Sequence, residues 1–437
     1  MSQKRKKVLI ITYYWPPGSG PGVQRFLKMS GFLYELGWEP TILTVKNGSY
    51  PSTDNSLIDE VPKEVSVYKT KTIEPFTIFN FLTGKKGKQI GVGMIGFQDK
   101  KNPIKRASLY IRANLLLPDA RRGWIPFAYK KAKQLHKQRK FDAVVTTGPP
   151  HSSHIIGYKL KRHFSIPWLV DMRDPWVTSF FNTALPRTRL AKKIEQKYED
   201  KVIENADFVT TVSPGLKKEF EDRNRNTGIV YNGFDQEDIP KIEQYQSEKF
   251  SLSYIGNLKP NQNIDALWEA ISELCEEISS FRKYFNISLT GNVDPSIKNT
   301  LKEKHLLGIS NFQSFVPHRE ATELMNKSQL LLFVVPKAND NRLIITGKLF
   351  EYIAIRSPVL SIGPVDGDAS KILSQAGRDP MLDYSEKDKI KEQISVYYNR
   401  WLEQNKYNFK HSSSDFRKFS RYASAKQLAE ILKTLCS

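Results

Sequence analysis

The sequence predicts an α/β protein built as two doubly wound domains, and three observations carry that expectation. Apolar, β-branched runs of strand length alternate with helical patterns along the chain. The alternation pauses at one acidic, polar stretch and then restarts. At 437 residues the chain also exceeds what one ordinary core accommodates. The pause places a linker at 236–248 between a first domain at 1–235 and a second at 249–410, with a last helical pattern in 411–437. A basic insertion near 70–117 interrupts the first domain.

Composition narrows the class. With 39% hydrophobic and 11% aromatic residues the chain buries a core and is not disordered. Cys275 and Cys436 are its two cysteines, far apart, so neither a disulfide framework nor a zinc site is expected. No metal site and no cofactor is predicted. No apolar run approaches the roughly 20 residues that span a bilayer. The start KRKKVLIITYYWPP imitates a signal peptide, but its apolar core is short and stops at Pro16-Pro17, so it reads as a first strand. A cytoplasmic protein, peripheral on the inner face of the membrane, is expected. The charge is uneven: residues 1–140 hold 26 Lys and Arg against 9 Asp and Glu, and the remainder 41 against 37. A field confined to one region points to an anionic partner surface.

In chain order, strand Val8–Thr12 runs into a glycine-rich turn holding Gly20, Gly22 and Arg25, then a helix that Gly37 closes, then strand Pro40–Val45. Such a turn brings backbone close to a phosphate or sugar. Lys46 stands where a dinucleotide fold wants an acidic residue for the ribose, which argues against a dehydrogenase. Residues 76–106 interleave Phe79, Phe81, Leu82, Ile95 and Phe97 with lysines and read as an interfacial element on anionic membrane, the alternative being a mobile loop with a solvated charge run. Strand Phe141–Thr147 ends in Gly148-Pro-Pro-His151-Ser-Ser-His154, and strand Pro167–Val170 in Asp171-Met-Arg173-Asp174. Asp174, Asp171, Arg173 and His151 thus come to one carboxyl edge, where doubly wound sheets keep their chemistry.

The second domain restarts with strand Phe250–Ile255 and Gly256-Asn257-Leu-Lys259. Later, Leu330–Val335 is a strand buried on both faces, Lys337–Arg342 a polar loop, and Gly347–Ile355 a helix with Thr346 as its N-cap. The free N–H groups at that N-terminus suit a phosphate. Lys348 and Arg342 add cations, and Glu351, one turn in, suits sugar hydroxyls.

At K-L-F-E-Y the chain resembles the retaining, family-4 (group 1) glycosyltransferases of the GT-B fold. T-G-P-P-H-S-S-H and D-x-R-D-P-W look like a bacterial surface-polysaccharide branch of it. The resemblance implies two Rossmann-like domains facing across a cleft, with the last helix crossing back to the first domain. Donor nucleotide sugar, guessed as a UDP-sugar, would sit at Glu351, Lys348, Arg342, Thr346, Gly347, Gly256, Asn257 and Lys259. The first loop with Gly20, Gly22 and Arg25 would lie under the reacting groups. Three departures stand out. Leu343 replaces the first of two paired glutamates, Arg173 a common histidine, and Asn257 and Gln262 two phosphate-gripping cations. The implied activity is transfer of a hexosyl or acetamidosugar to a hydroxyl of a lipid-linked saccharide acceptor. A non-catalytic nucleotide-sugar binder and a basic nucleic-acid-binding protein are the rivals. No nucleic-acid motif supports the latter, so no nucleic acid is expected.

Overall fold

The structure, a computed structural model, describes residues 5–74, 103–179, 182, 185–241, 245–338, 341–411 and 415–437. Most of the expected interfacial element, residues 75–102, lies outside the described residues. The chain divides into two compact units: 1–232 with 421–437, and 233–420.

The first unit is organised on a seven-stranded parallel sheet. Its strands are β1 Lys6–Ile11, β2 Trp38–Val45, β3 Ser66–Thr70, β4 Ala143–Gly148, β5 Trp168–Met172, β6 Phe208–Thr211 and β7 Thr227–Ile229, in the order β3-β2-β1-β4-β5-β6-β7. The helices are α1 Pro21–Glu35, α2 Pro103–Asn114, α3 Ile125–Arg139, α4 Ser152–Phe164, α5 Arg189–Asn205 and α6 Pro214–Glu221. Alternation along β1 explains the layers. Val8 and Ile10 pack with Phe26 and Leu33 of α1 and with Leu428 and Leu432 of the last helix, Arg421–Leu435. Leu9 and Ile11 pack with Ala128, Ala132 and Leu135 of α3 and with Ile156 and Leu160 of α4. Gly37, at φ 90°, turns the chain out of α1 as expected. Ser213 caps α6 by accepting from the Leu216 N–H at 3.1 Å.

The second unit repeats the plan on five parallel strands: β8 Phe250–Ile255, β9 Phe285–Thr290, β10 Ser310–Gln313, β11 Leu330–Val334 and β12 Val359–Ile362. Their order is β10-β9-β8-β11-β12. Its longer helices are α7 Asp265–Glu277, α8 Pro295–Glu303, α9 His318–Lys327, α10 Gly347–Ile355, α11 Asp368–Gln375 and α12 Lys387–Glu403. The last two were not anticipated from the sequence. Helix α12 buries Ile390, Ile394, Tyr397, Tyr398 and Trp401 against Phe250, Phe281 and Phe285. Lys387 and Lys391 then fasten it to Glu273 of α7 at 2.6 and 2.9 Å.

Strand order reverses between β1 and β4 in one sheet and between β8 and β11 in the other. Open parallel sheets leave a crevice at such switch points, beyond the carboxyl ends of the strands. The loops after β1 and β4, and after β8 and β11, carry most of the residues singled out above. Both sheets therefore have the Rossmann-like winding that the sequence predicts.

Candidate functional sites at the two switch points

The first switch point is closed by a charged clasp. Arg25 of α1 is buried and donates all five of its N–H groups. Two go to Asp171, from Nε at 3.1 Å and from Nη2 at 2.7 Å. The others go to the carbonyls of Val230 and Tyr231 and to Asn232 Oδ1, at 2.9, 3.0 and 3.0 Å. Asp171 in turn accepts from Thr147 at 2.8 Å and Thr210 at 2.9 Å besides Arg25. Burial pushes its carboxyl up, but the Arg25 charge and these bonds outweigh burial and hold it below the usual range. All four of its lone-pair positions are thereby filled. This alters the expectation for two residues: Asp171 has no lone pair left for a substrate proton, and Arg25 has no donor left for a phosphate. Both are fasteners. They join α1 to β4, β5, β6 and the segment after β7.

Arg173, Asp174 and His151 stand around the clasp. Arg173 is half-buried and donates from Nε to Thr147 at 3.1 Å and from Nη2 to the Pro149 carbonyl at 2.5 Å. Its Nη1 lies where a Cβ on Gly22 would come within 2.1 Å, so the guanidinium in this position uses the space that the glycine leaves. Gly20, at φ 109°, starts α1 in a conformation that L side chains rarely adopt. Asp174 is exposed on the loop after β5. His151 is buried and stacked on Trp176, ring centroids 4.3 Å apart and planes 5° from parallel. Burial drives its pKa well below the ordinary histidine value, with His154 adding to the effect. His154, also buried, falls to about 3 for the same reason. Two neutral imidazoles thus line the β4 loop. Thr146 Oγ1 accepts from Trp168 Nε1 at 2.9 Å and lies 2.9 Å from His154 Nδ1.

A second buried pair, not anticipated from the sequence, backs this edge. Arg121 pairs with Glu74, which also accepts from the Tyr13 hydroxyl. Asp119 accepts from both the backbone and the hydroxyl of Ser152, at 2.7 and 2.8 Å, and so fixes the head of α4. Nothing in the local sequence D-A-R-R-G-W distinguishes these partners from solvated charges.

The second switch point gathers Gly256, Lys348 and Glu351. Lys348 Nζ donates to the Tyr254 hydroxyl at 3.0 Å and sits 4.1 Å from that ring's centroid. A Cβ on Gly256 would fall 2.3 Å from Nζ, and Gly256 itself holds φ 126°. The glycine thus lets an ammonium rest over the end of β8. Burial lowers the Lys348 pKa to about 8; Lys259 adds to the fall and Glu351 opposes it. Asn257 and Lys259 are exposed beside it. Thr346 has the extended backbone of an N-cap but makes no capping bond, and its Oγ1 is buried without a partner. Arg342 is 61% exposed and faces Asp366 at 3.5 Å, an exposed pair of small energetic weight. Gln262, aligned above with a phosphate-gripping cation, is buried instead. It donates to the Val334 carbonyl at 2.8 Å and accepts from the Lys259 N–H at 3.2 Å, so it shapes the loop. Among the described residues no group of His, Cys, Asp and Glu is arranged to hold a metal ion.

No protein-family model matches the sequence, and no curated protein matches it. Solved structures do match along nearly the whole chain. TarM superposes with a TM-score of 0.61 at 11% identity, covering 98% of each chain. A TarM mutant in complex with fondaparinux, alpha-GlcNAc-glycerol and UDP gives 0.56 at 11%, covering 98% of this chain and 99% of that one. Sucrose-phosphate synthase from Thermosynechococcus elongatus gives 0.57 at 13%, covering 99% of each. WaaG, a glycosyltransferase involved in lipopolysaccharide biosynthesis, gives 0.51 at 13%, covering 97% of this chain and 99% of that one. At these identities the shared property is the fold, which is GT-B.

The clasp generates a stability prediction. Arg25→Met leaves a buried carboxylate facing two hydroxyls and is expected to cost about 3–5 kcal/mol. Arg25→Lys should restore little of it, because an ammonium cannot reproduce the five-donor fork. Urea unfolding reads both; a wild-type midpoint for Arg25→Met would show that the pair holds nothing together.

Proposed function

We propose that the chain is a glycosyltransferase that moves a sugar from a nucleotide donor to a saccharide hydroxyl. The observation that carries this reading is the Lys348 ammonium over Gly256. It is a half-buried cation at a helix N-terminus, at a switch point, with Glu351 one turn behind. A nucleotide diphosphate supplies the negative charge such a place lacks, and Glu351 offers a carboxylate to ribose hydroxyls. In the reaction the bond between the anomeric carbon and the diphosphate oxygen breaks. A bond from the acceptor oxygen forms, and negative charge grows on the leaving group. Lys348 and the backbone N–H groups at Gly347 and Lys348 stabilise that charge more in the transition state than before it.

In the first unit Arg173 brings a cation to the carboxyl edge, and Asp174 offers an exposed carboxylate to an acceptor hydroxyl. With Asp171 saturated, no buried carboxylate in the clasp is free to serve as a nucleophile. Retention of configuration and a UDP-linked hexosyl or acetamidosugar donor are the finer form of the proposal. The TarM complex with UDP, on the same fold, supports the choice of nucleotide. The expected acceptor is lipid-linked, which the basic first unit would approach at an anionic membrane face. Tyr110 and Ile111 of α2 and Leu115 just after it are 51%, 47% and 61% exposed, an apolar group on this basic unit. No described helix is long and apolar enough to cross a membrane.

Release of free nucleotide from a panel of sugar donors tests the activity. The expected result is turnover of one donor, reduced sharply by Lys348→Ala; tight binding with no turnover of any donor and acceptor pair would leave only a binding protein. Glu351→Ala should weaken donor binding by about 1.5–3 kcal/mol, the worth of a charged hydrogen bond. Calorimetry giving unchanged affinity for a folded Glu351→Ala would remove that residue from the site.

Lys348 sets a pH dependence. A bound diphosphate favours the ammonium, so the bound-state pKa exceeds the free value of about 8. Donor affinity should be flat below that value. It should fall as pH rises through it, approaching about tenfold per pH unit. Lys348→Arg should flatten the profile. A wild-type affinity that stays constant through this range would show that Lys348 does not meet the diphosphate.

Membrane docking has its own reading. Wild type should co-sediment with anionic vesicles, most of it released by salt. Replacing Tyr110, Ile111 and Leu115 with Ser should remove the salt-resistant remainder. Indifference of the wild type to anionic vesicles at low salt would withdraw the lipid-linked acceptor.

A further inference from the structure

A second cationic cluster lies at the opposite end of α10, around its C-terminus. Arg378, 6% exposed, follows Gly377, which leaves α11 at φ 63°. It donates once, from Nη2 to the Ile353 carbonyl at 2.6 Å, while its Nε and Nη1 are buried with no partner. Arg356, the left-handed residue that ends α10, likewise has a buried Nε without a partner. Lys410 donates to the Asn326 carbonyl and Ser357 Oγ at 2.6 and 2.7 Å. His411 is tied by its backbone N–H to the Arg356 carbonyl at 2.8 Å, and its Nε2 is buried and unpartnered. Asp379 is the carboxylate beside Arg378, and it already accepts from the Tyr397 hydroxyl.

Arg25 and Arg121, two buried arginines of the first unit, do not look like this, whereas Arg187, beside Glu195, also has a buried Nε without a partner. Arg25 spends all five donors, and Arg121 meets Glu74 and the Ser49 carbonyl. Leaving a buried polar donor unmet is costly, and more so when it carries charge. Three side chains do so together here, and the helix C-terminus accounts for only one of their bonds. We propose that this cluster is an oxyanion-binding site, distinct from the Lys348 site. It would take a phosphate-type group, free or as a monoester, on Arg378, Arg356, Lys410 and His411. A tetrahedral oxyanion offers several acceptor atoms and negative charge to this group of bases, beside which, among the described residues, stands the Asp379 carboxylate.

Titration behaviour agrees with the geometry. Burial lowers Lys410 to about 7, with Arg356 adding to the fall. Burial lowers His411 to about 4, with Arg378 and Arg400 adding and Asp379 opposing. An anion placed among them raises both values, so binding near neutral pH takes up protons.

The test is calorimetry on the full chain with inorganic phosphate and with glycerol 3-phosphate, in buffers of different ionisation enthalpy and at constant ionic strength. Expected are saturable binding, proton uptake, and affinity weakened by about tenfold or more in Arg378→Gln. Lys348→Gln should bind phosphate as wild type does, which separates this site from the donor reading. Tighter binding of the monoester assigns the ligand to that source, and tighter binding of phosphate to the free ion; either supports the site. Lys410→Gln, expected to lose the proton uptake, serves if Arg378→Gln does not fold. The proposal is overturned if wild type binds neither probe. It is equally overturned if Lys348→Gln abolishes binding while Arg378→Gln and Lys410→Gln leave it intact.

Discussion

The first unit depends on the pairing of Arg25 with Asp171. Both are buried, and a buried ion pair returns its desolvation cost only when geometry and additional hydrogen bonds are good. Here the remaining donors and lone pairs are met as well. The acceptors and donors come from three adjacent strands, a helix and the segment after β7. That fixes the relative placement of the loops after β1, β4 and β5. The Arg173 guanidinium can then occupy the gap that Gly22 leaves, and Thr147 serves both Asp171 and Arg173. Arg173 is thus held in place by Thr147, which the clasp itself orients.

Much of the fold was legible because parallel strands buried on both faces announce themselves as continuous apolar runs. Leu330–Val334 and Ala143–Gly148 needed no partner to be recognised. Gly37 was legible for a similar local reason, because it acts within one turn of its own position. Helix α12 was missed although its Ile390, Ile394, Tyr397, Tyr398 and Trp401 keep helical spacing. Its polar face is dense in lysine and glutamate, and the apolar face finds its partners, Phe250, Phe281 and Phe285, far away in sequence.

The site was less legible, and the reason is range. Which charge meets which depends on contacts far apart in sequence. Arg25 reaches residues 146 and about two hundred positions away, and Arg121 pairs with Glu74 47 positions back. A glycine-rich loop with an arginine looked like a phosphate grip, and the fold made that arginine a fastener. Gln262 looked like a replaced cation, and Val334 claimed it. Thr346 went the other way: its backbone is that of a cap, yet its hydroxyl is left unspent. Lys348 was read from local pattern alone, and the long-range part, the space over Gly256, adds to that reading.

Helix α10 shows why the Lys348 position asks for a ligand. A helix favours anions at its N-terminus and cations at its C-terminus, by about 0.3–1 kcal/mol each near the surface. Arg356 and Arg378 obey this at the C-terminal end, where Arg378 caps the Ile353 carbonyl. Lys348 disobeys it: the ammonium sits in the first turn, against the dipole, and burial opposes its charge as well. Tyr254 offers only a hydroxyl and a ring face, and Glu351 is partly exposed. Neither offsets the loss of water around a full charge. A cation placed against both the dipole and its own solvation is poorly accounted for by stability. The proposed diphosphate would relieve that conflict by meeting the helix N–H groups and the ammonium together.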